Sequence, residues 1–583
     1  MKKKAVSLLL TAVMISSLAA CGSTSGDEKT GNSSSSQQTE NSGEETASDS
    51  GDVETLEVFS QGGSYQGLQG GWYAKALKDA LNIELNIISP NASGGGDSLY
   101  QTRSVAGNLG DIVILDYQKM KECVASGLVI DMSSYLEGKE NLSKYQEGID
   151  NLKEYIGEDG IYAIPSDMSL SDPSEPMLNN GQVNESVFMP WDYYKELDMP
   201  DIADTDQLLD VMEQMQKNHP TSELSGGNTY GFSLFKDWDW MGMALAKRIT
   251  AAYGFADTTE TVYTNGDCSE TSVLTDDDGA YYKALKLLYE ANQRGLVDPD
   301  SSAQDFATMQ QKFQNKEVLY AWYPWLITAF NNSHKKDGTG YAYIPVGTQK
   351  IVTGGYNKYG GDKLCWGIGS QAKDPEKIAE YFDWMCTSEA VNLYAWNILG
   401  YNYELKDGKP VIIEQNAESD DGLNTVVPDE FGGGTLGAGA CQVGTSIASK
   451  FDTDPVTGEN YDTRLWTSTI ESEATQQDAE WTERFGAATP LEYLKEHDML
   501  DVAPGSSYIE EQESTDMDNK RNQCSTSIIQ ASWQMVFASN DAEFQQLWDN
   551  MKTELDGLGF ADVVAADQEK VAEIKEARAE AVK

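Results

Sequence analysis

The sequence predicts an α/β fold built on an open, mostly parallel sheet, and three observations carry that expectation. β-type runs alternate with helical patterns from residue 55 onward. The run 111–116 is apolar throughout its middle, as in a strand covered on both faces. The body, residues 53–583, is long enough for two domains or more.

The elements follow in order. Thr55, Leu56, Glu57, Val58 and Phe59 form a short β-type run that ends in the loop Ser60-Gln61-Gly62-Gly63-Ser64. Residues 72–81 then have helical spacing, and residues 83–88 alternate apolar and polar as a strand. A Gly-rich loop at 94–96 and a polar helix lead into 111–116. Strand, helix, strand, helix, strand in this order indicates parallel units with crossover connections. Ligands of such sheets bind in the crevice outside the carboxyl ends of the strands, here Ser60, Gln61 and Asp116. Asp116 is equally placed to cap the helix that follows it.

Composition narrows the class. Hydrophobic residues make up 40% of the chain and there are 13 tryptophans, so most of the body can bury a core. The formal net charge of −52 would repel nucleic acid and anionic headgroups, and neither is an expected partner. Seven cysteines are widely spaced and never in a C-x-x-C pair, which argues against zinc. The six beyond Cys21 could be disulfides in an oxidising compartment or free thiols; a chain of this size does not need the crosslinks.

The N-terminus reads as an address. Lys2, Lys3 and Lys4 precede an apolar run from Ala5 to Leu18, as in a secretory signal, and that run is too short to span a bilayer. Leu18-Ala19-Ala20-Cys21, with Gly22 after it, resembles the lipobox of bacterial lipoproteins. The resemblance implies that residues 1–20 are removed and that Cys21 is acylated, anchoring the protein to the outer face of the cell membrane, as in a Gram-positive cell. A cleavable signal with an incidental cysteine is the alternative. Residues 22–52 are almost all Ser, Gly, Thr, Asn, Gln, Glu and Asp, a composition that cannot fold. A flexible linker of this length reaches on the order of 30 Å.

A family resemblance emerges from the order of several further segments. The run 110–116, a helix ending in Ala125-Ser126-Gly127-Leu128-Val129-Ile130-Asp131-Met132, and Ile161-Tyr162-Ala163-Ile164-Pro165 are followed by residues 192–197, Pro200 and a helix over 206–217. Residues 309–318, then Trp322-Tyr323-Pro324-Trp325, and finally 363–368 before 374–385 complete the series. Together they resemble family 1 extracellular solute-binding proteins, the sugar-binding lipoproteins of ABC importers of the maltose-binding type. The resemblance spans about 53–403 and implies a type II periplasmic-binding-protein fold: two α/β lobes joined by several crossovers around a ligand cleft. One lobe would hold 53–164 plus 345–400, the other 165–344 plus 401–583 with a C-terminal extension. It further implies a monomer that binds a carbohydrate, an oligosaccharide in particular, delivers it to ABC permease subunits, and needs no cofactor.

Sugars present apolar C–H faces and a rim of hydroxyls, so their sites need aromatic rings and polar acceptors. Asp237, Trp238, Asp239 and Trp240 supply both in four residues, with the two indoles on one face if the segment is extended. The resemblance assigns stacking to the Pro-Trp turn, bringing in Trp322, Tyr323 and Trp325, with Trp325 foremost. Trp366, at a strand end, and Tyr401 are weaker candidates that could equally be core. Asp452, Asp454 and Asp462 look vaguely like a calcium loop, but the spacing fails the EF-hand rule because Val456 and Gly458 fall at the wrong positions. Gly432, Gly434 and Gly437 match a dinucleotide pattern without the preceding strand it requires. With three histidines, no H-E-x-x-H and no nucleophile elbow at Ser64, no catalytic site is expected. A secreted glycan hydrolase remains the competing reading, since 94 carboxylates can always supply a pair, and a surface adhesin lipoprotein is a third.

Overall fold

The computed structural model describes residues 53–583 apart from 91, 94, 179–181, 362, 414–423 and 440–441. The expected signal, Cys21, the linker to residue 52 and Cys441 lie outside the described residues.

Strand β1 (Glu54–Ser60) alternates until Leu56 and then buries Val58, Phe59 and Ser60 together, because both faces of the sheet become covered toward its end. With β2 (Gly67–Leu68), β3 (Ile83–Ile88), β4 (Ile112–Asp116), β5 (Ile164–Pro165) and a returning strand, Leu364–Ile368, it forms a six-stranded sheet. The order is β2, β3, β1, β4, the returning strand, then β5. The expected parallel centre is present: β1 pairs in parallel with β3 and with β4. Both flanks differ from a mostly parallel sheet. The returning strand runs antiparallel to β4, with Cys365 opposite Leu115, and antiparallel to β5, while β2 folds back on β3.

Helices of the expected type cover this sheet. Gly71–Leu81 buries Trp72, Tyr73 and Leu77 at helical spacing and ends at Asn82, whose left-handed backbone (φ 56°) lets its N–H reach the Lys78 carbonyl. Pro375–Trp384 starts with proline in its first turn and is capped by the Asp374 carboxylate.

Two large hydrophobic cores define two lobes. The first gathers Leu56, Val58, Ile112, Ile114, Trp366, Ile378 and Phe382. The second gathers Phe188, Trp191, Leu209, Met212, Phe232, Leu285, Met309 and Phe313. The chain passes from one core to the other after Met168, after Ile351 and after Tyr461. The stretch 401–461, expected with the second lobe, contributes Tyr401, Val427, Leu436, Val443, Ile447 and Tyr461 to the first core. Hydrogen bonds explain why: the Trp72 indole N–H donates to Thr435 O at 3.0 Å, and Ser60 Oγ donates to Val443 O at 2.6 Å. Later parts of the tail build the second core, through Trp481, Trp533, Trp548 and Val563. The tail ends in two long helices, Asp541–Leu558 and Phe560–Ala581.

Buried ion pairs fasten these last helices. Arg521, in the helix Thr515–Val536, donates to Glu513 at 2.6 and 2.7 Å, to Asp567 at 2.6 Å and to Glu260 at 3.0 Å. Asp567 also accepts from the Thr261 backbone N–H and hydroxyl. All its partners are close, so a buried charge here is compensated. Between these elements, residues 504–513 pass over the first lobe, where Asn151 Nδ2 donates to Ser507 O at 3.0 Å and Ile509 packs on the sheet's second face. Cys123, Cys268, Cys365, Cys386 and Cys524 are buried and not joined in disulfides. Among the described residues no helix is long and apolar enough to cross a membrane.

Candidate functional site

On the first lobe, Gln61 and Asp116 meet at the carboxyl ends of β1 and β4, where the Gln61 side-chain oxygen accepts the Asp116 backbone N–H at 3.2 Å. The Asp116 carboxylate caps the helix Tyr117–Ala125 by accepting Lys119 N–H at 2.8 Å, with Lys119 Nζ 3.5 Å away. Its capping role is thus a made bond.

The second lobe carries an aromatic platform. Trp238 stacks on Phe306 with ring centroids 4.7 Å apart and 28° between planes, and Phe235 meets Trp238 edge-on at 4.8 Å. Trp325 lies 6.0 Å from both Trp238 and Phe306, and it stacks with Tyr323 at 5.4 Å. These are the offset and tilted arrangements that aromatic quadrupoles favour. Trp238 remains 44% exposed, so the platform keeps an open face. Beside it a cavity of about 100 Å³ is lined by Phe235, Trp238, Lys247, Arg248, Trp322 and Tyr323, among others.

Local chemistry fixes the platform. The segment 236–240 is a turn, closed by Asp239 N–H to Lys236 O at 2.9 Å, and not the extended run that would put Trp238 and Trp240 on one face. Trp240 instead donates its indole N–H to Glu260 at 2.5 Å. Asp237 accepts the Phe306 backbone N–H at 2.9 Å, tying this turn to the helix that supplies the stacking ring. Asp239 accepts the Ala244 backbone N–H and the Trp533 indole N–H, and burial nevertheless pushes its carboxyl above the usual range. Both carboxylates therefore hold the loop in place. Trp325 is presented by the turn Pro324–Ile327, whose first residue is proline.

Two of the lining residues, Lys247 and Arg248, belong to a charged cluster that continues behind the cavity wall. Lys247 Nζ and Arg248 Nη2 each lie 2.9 Å from Asp257, and Arg248 Nη1 stands 3.7 Å from Glu185. Burial pushes the Glu185 carboxyl up to about 7, opposed by Arg248 and by a hydrogen bond from the Tyr323 hydroxyl and reinforced by Asp257. Glu185 also holds a left-handed backbone, φ 58°, which costs a non-glycine residue about 1 kcal/mol or more. Burial also pushes the Tyr323 hydroxyl up.

Other candidates lie elsewhere. Trp366 has no exposed surface and packs edge-on against Tyr381 and Phe382 in the first core, so it has no open face for a ligand. Tyr401 is in that same core, against Phe431, with its hydroxyl donating to Val426 O. Trp322 is 3% exposed and touches the cavity only as part of its wall. The three calcium candidates do not converge. Asp452 accepts from Leu170 N–H and the Ser171 hydroxyl, Asp454 from the Ser388 hydroxyl, and Asp462 pairs with Arg464. Among the described residues no three His, Cys, Asp or Glu side chains group as metal ligands would.

Phe235, Phe306, Glu185, Lys247, Arg248 and Asp257 were missed by the sequence reading. Lys247 and Arg248 had a usable signal, as an adjacent basic pair in a chain with 94 acidic and 42 basic residues.

No curated protein matches the chain significantly. Solved structures with the same fold include the alginate-binding protein AlgQ2, at 14% identity and TM-score 0.56, covering 91% of this chain and 98% of that one. They also include the S. pneumoniae ABC-transporter substrate-binding protein FusA in complex with kestose, at 16% identity and TM-score 0.55, covering 90% and 100%. An HMO-binding, ABC-transporter-associated solute-binding protein from Bifidobacterium longum infantis aligns at 14% identity and TM-score 0.57, covering 90% and 98%. The family model for bacterial extracellular solute-binding proteins matches residues 60–392, and the chain belongs to that family.

Proposed function

We propose that this protein captures an oligosaccharide at the aromatic platform of the second lobe and hands it to the permease of an ABC importer, held beside that permease by a lipid on Cys21. The observation that carries the reading is the half-exposed stack of Trp238 on Phe306 next to Trp325 and the cavity. Flat apolar rings suit the C–H faces of a pyranose, while groups on the facing lobe, among them Gln61, are of the kind that reads hydroxyls. The names of the similar structures, which speak of alginate, kestose and HMO, support a carbohydrate as the ligand class. Binding between two lobes stabilises one closed arrangement, which a permease recognises without any chemistry being done on the ligand.

The test is to incubate the protein with oligosaccharides and follow both thermal midpoint and products by chromatography. A raised midpoint with intact sugar supports capture. Cleavage products would establish the hydrolase instead, and neither effect with any sugar would leave the adhesin reading.

A further inference from the structure

Resting on the carbohydrate reading above, we infer that the ligand is an acidic sugar, whose carboxylate docks on Arg248 and Lys247 while its ring lies against Trp238. Of the residues lining the cavity, the charged ones are both cations. That is the opposite sign to the chain as a whole, at −52. Local balance strengthens the contrast. Lys247 and Arg248 share one carboxylate, Asp257, at 2.9 Å each, and Glu185 is farther, 3.7 Å from Arg248. Buried Glu185 keeps its proton up to about pH 7, so it offsets only part of the second positive charge.

The other acidic groups nearby already have partners. Asp237 accepts Phe306 N–H, Asp239 accepts Ala244 N–H and the Trp533 indole, and Glu260 accepts from Trp240 and Arg521. Arg248 is 31% exposed and anchored through Asp257, which holds its planar fork in a fixed orientation. A guanidinium so held suits the two parallel hydrogen bonds of a carboxylate. A neutral sugar would offer these cations only hydroxyl acceptors, whereas a carboxylate makes the stronger charge-assisted hydrogen bonds.

Calorimetry at pH 7 with the full chain decides the matter, using oligomers of galacturonate, glucuronate and mannuronate, their methyl esters, and the corresponding neutral oligosaccharides. The esters keep the ring and remove the charge. The expected result is binding of a uronate oligomer at least tenfold tighter than its ester, with affinity falling as salt rises. R248Q and K247Q should each narrow that ratio toward one; if R248Q fails to fold, the esters and K247Q still report. Neutral oligomers or esters binding as well as the acids would overturn this inference and leave the carbohydrate reading intact. Binding of none of the probes would overturn both.

Discussion

Replacing Glu185 by Gln removes one ionisable group from the floor of the site and lets its environment be read as stability. The side chain is 15% exposed, faces Arg248, Asp257 and Tyr323, and has its carboxyl pushed up to about 7 from an ordinary 4.5. In the unfolded chain this carboxyl ionises in the usual range, whereas in the fold it holds its proton until about pH 7. Between those values the folded state binds more protons than the unfolded one, so this group makes stability fall as pH rises. At roughly 1.4 kcal/mol per pH unit, the interval from 4.5 to about 7 amounts to about 3 kcal/mol. Glutamine has no proton to release, and every other group titrates in both proteins. The difference in stability, E185Q minus wild type, should therefore move in favour of the variant by up to about 3 kcal/mol between pH 4 and pH 8, whatever constant offset the lost Arg248 contact adds. Urea unfolding followed by tryptophan fluorescence at several pH values measures it. A difference that stays flat, or that turns against the variant as pH rises, would refute the buried-carboxyl argument.

Four other tests probe separate parts of the structure. W238A and W325A should each weaken the best oligosaccharide by about 1 kcal/mol or more, roughly fivefold in affinity, with the fold retained; unchanged affinity in both would mean that the platform is not the site. R521L leaves Asp567, 1% exposed, with only the more distant Lys570 at 4.0 Å and should cost about 3–5 kcal/mol in unfolding free energy; a loss below about 1 kcal/mol would show that the cluster is not desolvated. D116A should lose about 1 kcal/mol of stability while D116N, which can still cap, loses little; equal losses would defeat the capping role. G355A places a Cβ 2.0 Å from the Pro173 carbonyl oxygen, so the backbone must shift, and its thermal midpoint should drop by several degrees; an unchanged midpoint would show that this crossover yields freely.

Much of the fold could be read because its signals are local. The patterns of β1, β3 and β4, and the cap at Asp116, lie within a few residues of the elements they define. The direction of Leu364–Ile368 could not be read, since a strand's pattern shows which faces are covered and not which neighbour it pairs with. Trp366 illustrates the same limit. A tryptophan at a strand end looks like a stacking ring until Tyr381 and Phe382, on a helix that follows, are known to close over it. At the site, Trp238, Tyr323 and Trp325 stood out by type and order, Phe235 and Phe306 did not, and Asp237 and Asp239 were visible but their task was not. Their partners, Phe306 and Trp533, are remote in sequence, so the loop-fixing role exists only in three dimensions.

The returning strand has a consequence for how the chain is made. Cys365 Sγ lies against the Leu115 carbonyl across 250 residues of sequence, and the first core also draws on Tyr461. A ribosome must therefore finish about three-fifths of the polypeptide before its N-terminal sheet can be completed and about four-fifths before the core behind it is, and contacts of such long range close slowly. Until the returning strand is made, β4 presents one unpaired edge that is apolar from Ile112 to Leu115. The exposed interval is therefore the synthesis of residues 117–368, and slowing elongation within that stretch should raise aggregation more than slowing it later.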